Sequence, residues 1–231
     1  RLVGSEMCIR DRRTLVAVMA CIILLAGILV YFCTRQTFSP ALKYCIVIDA
    51  GHGGIDGGAV GKITNERDIN LEYAQQLKEI CQSLGMRVVM TRTDENGLYN
   101  PLAANKKRSD MEKRKEIIEN SGADLVVSVH MNAFARGNSR GAQAFYGLEN
   151  GRGKALAEKV QQSLHNNINY AKALPKEGDF YILNCTKLPG VLVEFGFLSN
   201  VEEEKLLLSE TYKNQMCKAV ANGVLSFYEM N

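Results

Sequence analysis

YCIVIDAGHGGIDGGAVG, residues 44–61, decides the fold. Its first six residues form an almost continuous apolar run, the pattern of a strand buried on both faces as in parallel sheets. The glycines that follow end the strand and let the backbone fold tightly around His52. Outward from here the apolar spacing becomes helical. Ile69, Tyr73, Leu77 and Ile80 recur at intervals of three and four, so a helix is expected from Glu66 to about Ser83, capped by Asn65 and ended by Gly85. MRVVMTR (86–92) reads as the next strand, followed by a polar loop and a helix near 107–120. ADLVVSVH (123–130), GAQAFYG (141–147), DFYIL (179–183) and GVLVEFGF (190–197) read as further strands, with helices at 151–168 and 209–228. Strands alternating with helices imply an α/β fold, a twisted and largely parallel sheet of about six strands with helices on both faces.

The 231 residues, 46% hydrophobic and 23% charged, suit one globular domain with an N-terminal extension. Thr14 to Cys33 is a run of 20 uncharged residues, which as a helix spans about 30 Å, the hydrocarbon thickness of a bilayer. Residues 1–13 are expected on the cytoplasmic side because of their arginines, and 14–33 as a transmembrane signal anchor. Residues 34–43 are expected as a linker and 44–231 as the functional domain, translocated to the extracytoplasmic face. SEMCIRDR (5–12) resembles translated adapter sequence, so roughly the first dozen residues are left out of the fold reading. A cleaved signal peptide is the competing reading.

The net charge of +3 lies in the extension: beyond residue 43 there are 22 Lys and Arg against 23 Asp and Glu. A nucleic-acid partner is therefore not expected. The cluster of Lys106, Lys107, Arg108, Lys113, Arg114 and Lys115 is interleaved with acids and reads as a solvated helix face. Cys45, Cys81, Cys185 and Cys217 have no thiolate-site spacing and read as free buried thiols. The glycine-rich turn matches no phosphate-loop pattern, and no serine-nucleophile elbow is present.

In parallel α/β sheets ligands bind beyond the carboxyl ends of the strands. His52 follows the first strand, His130 ends the third, Glu194 lies toward the end of the last, and Glu66 opens the helix after the first loop. Two imidazoles and a carboxylate, His52, His130 and Glu66, are a ligand set for catalytic zinc, which makes water acidic enough to ionise near neutral pH. Each residue also has a structural reading, a hydrogen-bonded histidine or a glutamate serving the helix dipole. Glu194, an acid within Val, Leu and Phe, costs several kcal/mol if unpaired and reads as a proton-transfer group with a raised pKa. Asp49, Asn132 and Arg92 are expected as supporting or structural residues, and His165 as a surface residue.

Residues 44–228 resemble the zinc-dependent N-acetylmuramoyl-L-alanine amidases of the amidase-3 family. The resemblance rests on IVIDAGHGGIDGGAVG, NERDINLEYAQQLK, RTDE, ADLVVSVHMNA and GVLVEFGFLSN, in that order. It implies hydrolysis of the amide between muramic acid and L-alanine in peptidoglycan, with His52, Glu66 and His130 binding Zn2+ and Glu194 as the catalytic carboxylate. Ala50 departs from the proline common in the family and removes no ligand. MEKRKEIIENSGADLVVSVHMNA, SRGAQAFYG and DFYILNCTKLPGVLVEFGFLSN, with the anchor, are similar to the germination-specific sporulation amidases of the spore cortex, whose action precedes muramic δ-lactam formation. A protein activator is compatible with this group. The competing functions are a zinc carboxypeptidase or endopeptidase on stem peptides and a non-catalytic, membrane-tethered wall-binding protein.

Overall fold

The computed structural model describes residues 3–36, 44–134 and 137–230. The chain divides into two units, residues 1–41 and 42–231. The first holds one helix, α1 (Val3–Gln36), whose apolar segment Thr14–Tyr31 is long enough to cross a membrane and is exposed throughout. This helix covers residues 34–36 of the expected linker; residues 37–43 lie outside those described.

The second unit is a six-stranded sheet built from β1 (Tyr44–Ala50), β2 (Met86–Met90), β3 (Leu125–Asn132), β4 (Gln143–Tyr146), β5 (Lys176–Glu177) and β6 (Gly190–Phe197), ordered β2-β1-β3-β6-β4-β5. All neighbours are parallel except β4 against β6. The helices are α2 (Glu66–Ser83), α3 (Lys106–Asn120), α4 (Gly151–Asn167), α5 (Tyr181–Asn184), α6 (Val201–Leu207) and α7 (Glu210–Tyr228). Asn65 stands at the α2 N-cap without a side-chain bond, and its carbonyl accepts from Asp68 and Ile69 instead.

Strand alternation gives the sheet two unlike faces. Ile46, Ile48, Val127, Val129, Val191 and Val193 share the larger core with Leu77 of α2, Leu156 and Val160 of α4 and Val220 and Val224 of α7. At roughly 1.5–3 kcal/mol for each fully buried aliphatic side chain, this face supplies most of the hydrophobic stabilisation. Val47, Val126 and Leu192 point the other way, against Ile118 of α3 and Ile182 and Leu183 of α5. Two steps further along the same strands, the smaller face carries Asp49, Ser128 and Glu194, with His130 beyond Ser128.

The expected strand 179–183 is instead a turn of helix. Leu183 and Asn184 amides donate to the Phe180 carbonyl, and Cys185 to that of Tyr181. Ile182 and Leu183, adjacent in sequence, both enter the smaller core, which strand alternation would forbid. The edge position beside β4 is taken by Lys176–Glu177. Helix α6 was not expected from the sequence. Its N-cap, Asn200, accepts from the Glu202 and Glu203 amides. Cys45, Cys81 and Cys217 are buried free thiols and Cys185 is half-buried.

Candidate metal centre and active site

Sheet register assembles the centre. His130 on β3 is the register partner of Glu194 on β6, and both lie on the smaller face. The Gly51 amide donates to the Val129 carbonyl, which extends the β1–β3 ladder and delivers His52 just past the strand end. A Cβ on Gly51 would lie 2.3 Å from the His130 ring, so only glycine lets the imidazole pack there. His52 itself has φ +61°, a left-handed conformation that costs a non-glycine residue about 1–2 kcal/mol.

Glu66, in the first turn of α2, joins the two imidazoles. Its Oε1 lies 2.8 Å from His130 Nδ1, and its Oε2 lies 3.1 Å from His52 Nε2. The Met131 amide also donates to Oε1, and the Ala59 amide to Oε2. A Cβ on Gly58, φ +66°, would stand 2.4 Å from Oε2, so the loop can approach the carboxylate only through glycine. Burial works to raise the Glu66 pKa, but hydrogen bonds and charge from His130 and His52 outweigh it and hold the carboxyl far below its ordinary range. Burial likewise works to lower the His52 pKa, and Glu66 and Asp56 together raise it. Asp56 Oδ1 lies 3.0 Å from His52 Nδ1 on the far side of the ring, within ion-pair distance but not aligned for a hydrogen bond.

One donor atom from each of His52, Glu66 and His130 lies within 4.8 Å of the others. The imidazole planes cross at 76° with centroids 5.0 Å apart. The donor set of two nitrogens and one oxygen suits a borderline divalent cation. Glu194 lies beside it with an enclosed Oε2 that has no hydrogen-bond partner. Burial, reinforced by Glu66 and opposed by His130 and His52, pushes the Glu194 pKa up to about 7. The residues present therefore fit a metal with an adjacent proton-transfer carboxylate. They open into a cleft of about 600 Å³ walled by Tyr99, Met111, Phe180 and Tyr181, with Asn132 on its lining.

A model of the family described as N-acetylmuramoyl-L-alanine amidase matches residues 46–226. The chain belongs to the N-acetylmuramoyl-L-alanine amidases. The amidase is 34% identical over 194 residues to the germination-specific N-acetylmuramoyl-L-alanine amidase of Bacillus subtilis, covering 82% of this chain and 81% of that protein. Among solved structures it is similar to the CwlD amidase of Clostridioides difficile, in complex with the GerS lipoprotein. The TM-score is 0.78 and the identity 37%, over 82% of this chain and all of the other. The N-acetylmuramoyl-L-alanine amidase of Clostridium difficile 630 matches with TM-score 0.72 and 30% identity, over 81% of this chain and 98% of the other. The amidase is thus a peptidoglycan hydrolase cutting between muramic acid and L-alanine.

The charged stretch on α3 is not solvated throughout. Arg114 is 1% exposed and donates to Asp49 Oδ1 (2.6 Å), Asp110 Oδ2 (2.6 Å), the Ala50 carbonyl (2.7 Å) and the His52 carbonyl. It therefore clamps the strained turn that presents His52. Asp49 also accepts from Thr91 and Ser128. Burial would raise the Asp49 pKa, but Arg114, Ser128 and His130 overcome this and leave it below the usual carboxylate value. The signal for Arg114 was its place one turn from both Asp110 and the apolar Ile118. Arg92 plays a parallel part, donating to the carbonyls of Ala50, Gly51, Arg67 and Asp94. His165 is exposed on α4, away from the cleft lining.

Proposed function

We propose that the amidase is zinc-dependent, with His52, Glu66 and His130 as the metal ligands and Glu194 as the catalytic general base and acid. The observation that carries the reading is the convergence of these three donors beside a carboxylate oxygen that has no partner of its own. When bound, zinc acidifies water and polarises the scissile carbonyl. Glu194 takes a proton from the attacking water as the new carbon–oxygen bond forms. The carbon–nitrogen bond then breaks, and Glu194 returns the proton to the alanine nitrogen, leaving a lactyl carboxylate and a free α-amine. In the metal-free site burial raises the Glu194 carboxyl above its ordinary range, which favours its taking up a proton. Arg114 holds the turn that carries His52 through its carbonyl, and Asp56 lies beside the ring as its charge partner.

The same reading places the amidase on the extracytoplasmic face, held by α1 as a signal anchor, with residues 1–13 cytoplasmic and 44–231 catalytic. The apolar segment Thr14–Tyr31 supports the anchor. Action in spore cortex maturation is supported by the likeness to a relative named for germination. A lipoprotein partner is supported by the structure in which a relative is bound to one.

The test is mass spectrometry of purified peptidoglycan digested by the full chain in detergent, with and without chelator. The expected products are intact stem peptides with a free alanine amine, abolished by chelation and restored by zinc. Cleavage only within the stem peptide would indicate a peptidase, and binding without any cleavage would indicate a wall-binding protein.

A further inference from the structure

Glu204 on α6 is fully buried, and its carboxylate is occupied by backbone amides from a segment about 140 residues away. Oε1 accepts from Ile63 (2.8 Å) and Thr64 (3.1 Å), and Oε2 accepts from Lys62 (3.1 Å). Three successive N–H groups around an anion form a nest of charge-assisted bonds. These amides are the tip of the loop that runs from the His52 turn into α2. The loop is a closed hairpin: Gly61 donates to the Thr64 carbonyl, Val60 and Asn65 form a bridge, and the Glu66 amide donates to Ala59. At its base the Ala59 amide donates to Glu66 Oε2 at 2.8 Å, the oxygen that faces His52. Val60 and Ile63 are 73% and 62% exposed, so apolar burial does little to hold the hairpin.

We propose that Glu204 is a positioning residue of the metal centre, holding hairpin 59–65 so that the Glu66 carboxylate is presented in the orientation a divalent cation requires. This rests on the metal reading given above. Neighbouring Glu203 supplies an internal comparison. It is also buried and accepts two backbone amides, from Gly141 (2.6 Å) and Phe197 (2.9 Å), but on segments that do not hold Glu66.

The experiment titrates zinc into the chelator-stripped full chain in detergent against a chromophoric competitor, alongside thermal unfolding of the metal-free protein. Glu204→Ala is expected to bind zinc about 10- to 100-fold more weakly. Glu204→Gln keeps an acceptor for the Ile63 and Thr64 amides and is expected to lose a few-fold. Glu203→Ala is expected to lower the melting temperature while keeping wild-type zinc affinity. Wild-type affinity in a folded Glu204→Ala overturns the proposal, as does equal weakening in Glu203→Ala. If Glu204→Ala does not fold, Glu204→Gln decides: weaker binding supports the proposal and unchanged binding overturns it. A wild-type chain that binds no zinc overturns the metal reading itself, and the proposal with it.

Discussion

The two faces of the sheet are built from the same strands and do opposite work. On the larger face α2, α4 and α7 close over Ile, Val and Leu. On the smaller face the apolar side chains of α3 and the single turn α5 cover only the first part of the strands, and beyond them the strands carry Asp49 and Ser128, buried beneath Arg114, and then His130 and Glu194 at the cleft. The difference teaches that the site is an end of the core where hydrophobic cover stops. Polar groups there are satisfied by one another or by Arg114, except Glu194 Oε2 and His52 Nδ1, which have no hydrogen-bond partner in the protein.

The sharpest way to break this comparison is to substitute the smaller face at its reacting end. Glu194→Gln should cut kcat on purified peptidoglycan by about 10²–10⁴ while zinc content stays at wild type. His52→Ala should lose both zinc and turnover. Near-wild-type rates in the glutamine variant would refute the proton-transfer assignment.

A step inward, Arg114→Ala leaves Asp49 buried without its guanidinium and should cost about 3–5 kcal/mol in urea unfolding. Arg108→Ala on the same helix, where the side chain is exposed beside Glu112, should change stability immeasurably. Equal losses would erase the distinction between the buried and solvated sides of α3.

On the larger face, Leu77→Ala should cost about 2–5 kcal/mol through the cavity it opens. The kcat of the folded protein should not change, because Leu77 lies in the larger core and not on the cleft lining. A parallel fall in kcat would show that the faces are coupled.

The mildest test is pH dependence in the metal-free protein. The Glu194 carboxyl is raised from 4.5 in the unfolded chain to about 7 in the fold, so the folded state holds the extra proton between these values. Stability should therefore fall as pH rises from about 4.5 to 7, by up to about 3 kcal/mol, and raised His52 adds in the same direction above its ordinary 6.5. Glu194→Gln should flatten the Glu194 part. Asp49, held below 3.8, contributes stability above that pH that is lost as its carboxyl protonates on acidification. That lower slope should survive the substitution.

Much of this was legible in the chain. Apolar runs and helical spacing placed β1, α2 and β6 almost to the residue and β3 within two residues, because a strand buried on both faces leaves no position for a polar residue without a reason. For the same reason Glu194 stood out. The failures lie where local pattern is weak. DFYIL has strand composition but forms a helical turn, since Ile182 and Leu183 are both drawn into one small core. Arg114 was hidden by its charged neighbours on α3, because the spacing of charges alone does not tell which side of a helix a partner waits on.

The sequence by itself determined the family, the α/β class and the residue types that can hold a metal and move a proton, because these follow from local spacing and side-chain chemistry. Only the tertiary structure decided which oxygen of Glu66 faces which imidazole, that Arg114 braces the turn carrying His52, and that Glu204 grips the hairpin beneath Glu66. Those contacts join segments up to about 140 residues apart, and their existence depends on sheet register and helix placement that no local window of sequence contains.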